Sequence, residues 1–563
     1  MNTLQKTYHI DGNGGDSRRR KGSALVSDQP DVERPDTDQP NIVVIQADQL
    51  APRALGAYGN PTVRSPYVDR LADEGVVFDR AYCNSPLCAP SRASMMTGLL
   101  PSQIGAYDNA AEFASSTPTV AHHLRTLGYH TALVGRMHFI GPDQLHGFEE
   151  RQTSDVYPAD MSMVPDWRLG SDQRLPWYHD SGSVFTAGVS AATVQRDFDD
   201  EVTFAARRYL TQRARDRGRQ PFFLVASYIH PHDPYEPSAE HWARYDDVEI
   251  DPPATPTVAL DELDPHSRRL QAMSEFDSHP PTAAQTLRAR RAYYACVSYV
   301  DDQIGSLLDR MRELALLEDA VIIVISDHGD LLGERGMWYK MSPLEQSARV
   351  PLIVRSPERF RPGRVDTPVS LVDLLPTLVT LAGGDPPIDA AGSDLGPLLR
   401  GEPAEGRGDV IVEYLAEGTT APQLTVVRGD LKYTWCPGDP DQLFDLSIDP
   451  LERTNLAESP EWQDTRAELR KALLAGRDLR ALDRDVRTSQ ERRRLVARAL
   501  ATGRVTEWDH RPRDLSSELY VRGDFWSAID RGRLQVPAGS GSPSGPGPGP
   551  GPSVGRTPVE PSA

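Results

Sequence analysis

Residues 85–98 read SPLCAPSRASMMTG, and three of them could do chemistry together: Cys88, Ser91 and Arg92. The run after the proline reads as helical, which puts Cys88 at a helix entrance and Arg92 in its first turn. Unpaired backbone N–H groups at such an entrance favour an anion, and the guanidinium adds a fixed positive charge. These surroundings lower a thiol pKa and equally suit sulfate or phosphate. From these residues alone Cys88 remains a metal ligand, an acid-shifted nucleophile or a small buried apolar group.

Four apolar runs end in groups that could act with it. NIVVIQAD ends at Asp48 and is followed by Gln49, and HTALVG is followed by Arg136 and His138. PFFLVASYI leads into His230 and His232, and VIIVIS into Asp327 and His328. Open parallel sheets bind ligands beyond the carboxyl ends of their strands. If these runs are parallel neighbours, two carboxylates, several imidazoles and an arginine meet on one edge. Oxygen and imidazole donors of this kind suit a hard or borderline divalent cation. A lone Asp at a strand end commonly caps the next helix, but that reading weakens when four ends carry such groups.

The elements that must hold these residues are legible around them. Near-continuous Val/Ile/Leu runs suit parallel strands covered on both faces. SPYVDRLADEGVVF and TPTVAHHLRTLGY are long enough for crossover helices. This predicts an α/β fold with a mostly parallel sheet and helices on both faces. Beyond residue 400, DVIVEYLAEG, LTVVRGDLKYTWC and DQLFDLSIDP predict a smaller C-terminal α+β subdomain with an antiparallel sheet. One charged helix is expected over residues 464–500, then an aromatic-bearing tail. The expected organisation is a disordered leader over 1–39, a catalytic domain over 40–400, the C-terminal subdomain and tail over 401–535, and a disordered Pro/Gly-rich tail over 536–563.

Composition excludes several classes. The chain has 563 residues with 25% charged and 39% hydrophobic, as a globular protein does. A formal net charge of −20 argues against nucleic acid as a partner. Four cysteines are too few for a disulfide-built fold. The polar N-terminus lacks the apolar core of a secretory signal, and no run has the length to span a bilayer. A cytoplasmic protein without a membrane partner is expected.

CAPSRASMMTG resembles the sulfatase signature, C-x-P-S-R followed by Thr-Gly. In that family a formylglycine-generating enzyme oxidises the cysteine to formylglycine, whose hydrate is the nucleophile. ADQL resembles the first metal-binding strand end, GRMH the family's G-K-x-H, HPHDP its histidine loop, and SDHGDLLGERGMWYK the second metal strand with its downstream lysine. The resemblance implies an alkaline-phosphatase-like fold. It is closest to the choline-sulfatase branch, carried by AYCNSPLCAPSRASMMTGLLPSQIGAYDNAAEF, MHFIGPDQLHGFEER, YPAD and DPDQLFDLSIDPLERTNL.

What the resemblance implies about residues follows position by position. Asp48, Asp327 and His328 would hold a divalent metal, Ca²⁺ or Mn²⁺, together with the modified Cys88. Arg92 would sit against the nucleophile, while His138, His232 and Lys340 would contact the sulfate and assist proton transfer to the leaving alcohol. Arg136, His179, Glu417, Trp508 and Asp509 would bind substrate, with Trp338 and Tyr339 lining the same cavity. The substrate class is a small sulfate ester, choline-O-sulfate by the closest resemblance. The tail would join a homo-oligomer, a dimer or tetramer. Two positions depart from the pattern. Arg136 replaces the lysine of G-K-x-H, keeping the charge but not a proton donor. Met163 stands where the branch places an aromatic ring, giving soft contact without a ring quadrupole. The rival readings are another alkyl or aryl sulfatase, a phosphate or phosphonate monoester hydrolase on the same fold, and an unmodified binding protein.

Overall fold

The computed structural model describes residues 39–534 apart from 170–172, 217–219, 404–407, 506, 517–519 and 521–524. The expected leader, up to residue 38, and the Pro/Gly-rich tail therefore lie outside the described residues. Gln39, assigned to the leader, belongs to the folded body. Its side-chain amide donates to the carbonyls of Leu127 and Ala382.

Among the described residues the strands form three sheets. The largest orders β10 (Gly363–Val365), β2 (Val76–Phe78), β9 (Leu352–Arg355), β7 (Ala320–Ser326), β1 (Asn41–Asp48), β6 (Phe222–Pro231), β4 (His130–Gly135) and β5 (Glu150–Arg151). β1 runs parallel to β6 and β7, and β6 parallel to β4. The carboxyl ends of these four strands therefore share one edge, as the sequence suggested. β9 alone is antiparallel to its neighbours β7 and β2, which makes the sheet mixed but mostly parallel. A small second sheet orders β11 (Val369–Ser370), β3 (Ala81–Tyr82) and β8 (Arg349–Val350).

Alternation along the buried strands explains the two layers. Val43 and Ile45 of β1 face one core, packed by the helices Val194–Arg215 and Ala283–Glu313. Ile42 and Val44 face the other, packed by Cys88–Thr97 and Leu374–Leu381. Helix Cys88–Thr97 is buried on every side, so its amino end is fixed rigidly at the strand edge. It stops at Gly98, whose φ of 67° suits a residue without Cβ.

The C-terminal sheet is antiparallel, in the order β12 (Val410–Tyr414), β13 (Gln423–Arg428), β14 (Leu431–Trp435) and β15 (Gln442–Asp445). The single charged helix expected after it is two helices, Gln463–Leu474 and Leu479–Leu500. Gly476 breaks the chain at φ 70°, and Asp478 starts the second helix by accepting the Ala481 N–H at 2.9 Å. No helix among the described residues is long and apolar enough to cross a membrane.

Candidate active site

Asp48, Cys88, Asp327 and His328 are buried, and one ligand atom from each lies within 4.8 Å of the others. Cys88 Sγ is 3.2 Å from His328 Nε2. His328 Nδ1 donates to the Gly329 carbonyl at 3.0 Å, which turns the Nε2 lone pair toward the cluster. Arg92 holds both carboxylates: Nε donates to Asp327 Oδ2 and Nη2 to Asp48 Oδ2, each at 2.8 Å. Arg136 also bonds Asp48 Oδ2. Burial opposes ionisation of Asp327, but Arg92, His328 and Arg136 outweigh it and hold the carboxyl well below the usual range. The remaining oxygen, Asp48 Oδ1, is buried and makes no hydrogen bond. A buried carboxylate oxygen left unmet among a second carboxylate, an imidazole and a sulfur atom is an unfilled ligand demand. The donor set therefore fits a divalent cation.

The thiol corrects one expectation. Helix entrance and Arg92 were expected to lower its pKa; instead burial pushes the Cys88 thiol up to about 12, with Lys340 opposing and Asp327 reinforcing the rise. Arg92 also opposes the rise, but its donors bond the two carboxylates and burial prevails. Nor does Cys88 precede the helix: it is its first residue.

Beside this cluster stands His138, at φ 54°. Its backbone N–H and that of Met137 both donate to Asp155 Oδ2 at 2.9 Å. Burial works against the Asp155 charge, but Arg151, His138 and Arg136 bring its carboxyl down to about 2. The His138 ring stacks on Tyr157 with centroids 5.2 Å apart, and its Nε2 is buried without a partner. Arg136 lies over the same Tyr157 ring at 4.4 Å. Lys340 Nζ donates to Gln49 Oε1 at 2.6 Å and to His232 Nε2 at 2.7 Å, and lies 3.4 Å from His179 Nε2. Burial and the Lys340 charge hold both imidazoles neutral, His179 at about 4 and His232 well below its ordinary value.

The structure thus brings together Asp48, Cys88, Arg92, Arg136, His138, His179, His232, Asp327, His328 and Lys340. His230 turns away, pairing with Asp199 at 2.7 Å and packing on Tyr299. Tyr339 packs against His179 at 5.0 Å, and Trp338 packs on Tyr235.

Glu417 is 2% exposed, and its Oε2 has no hydrogen-bond partner. Burial pushes its carboxyl up to about 7; Asp108 adds to the rise and Lys340 opposes it. Asp108 itself is neutralised by a bidentate pair with Arg493, at 2.6 and 2.8 Å. Among the described residues Glu417 makes no ion pair, unlike Asp108. Trp508 packs with Ala497 against Ala89, Ile140 and Met161, and Asp509 accepts the Ala159 N–H at 3.0 Å. This part of the tail therefore lies against its own chain and braces the YPAD loop. Met163 is half-buried in that loop.

Sequence reasoning passed over Tyr157, Asp155 and Asp233. Tyr157 lies within the YPAD motif and Asp233 within HPHDP, so their signals were present; Asp155 acts by accepting the Met137 and His138 backbone N–H groups, which no spacing reveals.

The sulfatase family profile matches residues 40–384. Profiles described as the N-sulphoglucosamine sulphohydrolase C-terminal region and the choline sulfatase C terminus match 333–478 and 484–531. A choline-sulfatase of Rhizobium meliloti (strain 1021) is 45% identical over 497 residues, covering 86% of this chain and 96% of that protein. An arylsulfatase of Clostridium perfringens is 29% identical, covering 77% and 94%. Among solved structures, the phosphonate monoester hydrolase of Agrobacterium radiobacter superimposes with a TM-score of 0.61 at 22% identity, covering 79% of this chain and 96% of that one. At that identity it supports the fold alone.

Proposed function

The chain belongs to the sulfatase family, and from that premise we propose that it hydrolyses choline-O-sulfate to choline and sulfate. Cys88 is the residue converted to formylglycine, and Asp48, Asp327, His328 and residue 88 hold a divalent cation, calcium or manganese. The observation that carries the assignment of chemistry is the unmet Asp48 Oδ1 inside this four-donor cluster. When present, the cation and the aldehyde hydrate supply Lewis acidity toward a sulfate oxygen and a hydroxyl nucleophile with a second hydroxyl for release.

The chain's own residues do the rest. Arg92 keeps Asp327 ionised and orients both carboxylates. His138 Nε2, buried and unpartnered, faces the oxyanion. Lys340 donates a proton to the ester oxygen as the S–O bond breaks and its electron pair moves to that oxygen. His232 and Gln49 hold the ammonium, and its remaining N–H meets only His179, at 3.4 Å. The choline cation has no hydrogen to donate, so it needs charge and polarisable contact. Glu417 supplies the first, Tyr157 and Met163 the second. Steady-state rates on choline-O-sulfate, p-nitrophenyl sulfate and an aryl phosphonate monoester test this reading. A higher kcat/KM on the cationic ester is expected. A preference for the neutral sulfate or the phosphonate would overturn the substrate assignment.

A further inference from the structure

We infer that Gln49 is the positioning residue of Lys340, fixing the ammonium where the leaving oxygen is protonated. Gln49 follows the metal-site carboxylate Asp48 and is fully buried. Its backbone sits at φ 60° and is pinned at both ends. The N–H donates to Asp327 Oδ1 at 3.1 Å, and the carbonyl accepts from Tyr293 Oη at 2.5 Å. Its side-chain amide has one workable orientation. Nε2 donates to Asp330 Oδ2 at 2.6 Å and Asp233 Oδ1 at 3.2 Å. Carboxylates accept and cannot donate, so the carbonyl oxygen must face the opposite way. There it receives Lys340 Nζ at 2.6 Å.

The second hold on the ammonium is fixed by the same logic. His232 Nδ1 donates to the Asp233 carbonyl at 2.5 Å, so its Nε2 carries the lone pair that accepts from Lys340 at 2.7 Å. The Gln49 carbonyl and the His232 lone pair direct two of the three ammonium N–H bonds. The third has only the long 3.4 Å contact to His179 Nε2 and is the one that substrate can take. Asp330 is locked in turn by Tyr235 Oη at 2.7 Å and the Leu332 N–H at 2.9 Å. No other residue type at position 49 meets all these demands. Glutamate lacks the donors for Asp330 and Asp233, asparagine falls one methylene short, and methionine offers neither donor nor strong acceptor. Gln49 acts through Lys340 and so does not itself touch the reacting atoms.

This inference rests on the reading of Lys340 as the proton donor, and the test separates the two. Gln49→Met, Lys340→Ala and the double variant are compared on choline-O-sulfate, whose alcohol is a poor leaving group, and on p-nitrophenyl sulfate, whose phenolate leaves unaided. Bound metal and Tm are measured on each purified protein. Lys340→Ala should lose about 100-fold or more in kcat on choline-O-sulfate and far less on the aryl ester. Gln49→Met should show the same split, roughly 10- to 100-fold on the alkyl ester, with metal content retained. In the Lys340→Ala background it should add little. Gln49→Asn, a smaller change, should repeat the split where the methionine variant does not accumulate. Equal losses on both esters, or metal loss in step with activity, would overturn the inference. Failure of Lys340→Ala to split the substrates would instead overturn the proton-donor reading.

Discussion

Replacing Glu417 by glutamine should yield a protein that is more stable at alkaline pH yet poorer on a cationic ester. The carboxyl is buried, one oxygen is unpartnered, and its pKa rises from 4.5 to about 7. A raised folded-state pKa means the folded protein holds the proton more tightly than the unfolded chain. Its favourable contribution is complete below the unfolded value and is lost as pH rises through 7. A rise of about 2.5 units corresponds to about 3 kcal/mol. Glutamine cannot ionise and escapes this cost. The variant should melt about 3 °C higher near pH 8.5, since unfolding a chain this long carries on the order of 1 kcal/mol/K of entropy. Near pH 4.5 the two proteins should melt together. A trimethylammonium group in contact with the carboxylate gains at most about 4 kcal/mol before desolvation. A net loss of about 1–2 kcal/mol raises KM for choline-O-sulfate roughly 5- to 30-fold, with p-nitrophenyl sulfate unchanged. Scanning calorimetry at the two pH values and kinetics on the two esters check this. A lower Tm at alkaline pH would mean the carboxylate is paired, and equal kinetic losses would mean it is structural.

Metal removal should release repulsion between Asp48 and Asp327, so chelation is expected to lower Tm together with activity, and re-addition to restore both. Asp155→Asn should slow turnover, because the acceptor that sets the His138 and Met137 backbone is weakened. Asp155 titrates at about 2 against an ordinary 3.8, so its stabilisation is complete above pH 3.8 and fades toward pH 2. An acid-unfolding profile of wild type and variant should converge at the acid end and separate above pH 3.8. Met163→Trp should lower KM for choline-O-sulfate by about 3- to 30-fold through a new cation–π face, which inhibition by choline would report independently.

Much of this site was legible because its clustered residues sit at the ends of regular elements. Strand hydrophobicity located the ends of β1, β4, β6 and β7, and their parallel pairing follows from burial on both faces. That placed Asp48, His138, His232, Asp327 and His328 together. The thiol pKa was misjudged because a helix entrance is only one influence; dryness and Arg92's engagement by two carboxylates are tertiary facts. His230 shared the strand end of His232, yet faces Asp199 in the core. The break at Gly476 was hidden by continuous charge on either side. Tyr157 and Gln49 matter through their partners, Arg136 and His138 for one and Lys340 for the other. Such partners are remote in sequence and meet only in the folded chain.

The proposed hydrolysis depends most on the fate of Cys88, and peptide mass spectrometry of protein purified in active form reads it directly. The peptide spanning residue 88 should have lost its sulfur and carry an aldehyde that reacts with a hydrazide. The converted fraction should scale with specific activity across preparations, and Cys88→Ala should be folded and inactive. Active protein whose residue 88 peptide carries only the intact thiol would contradict the account.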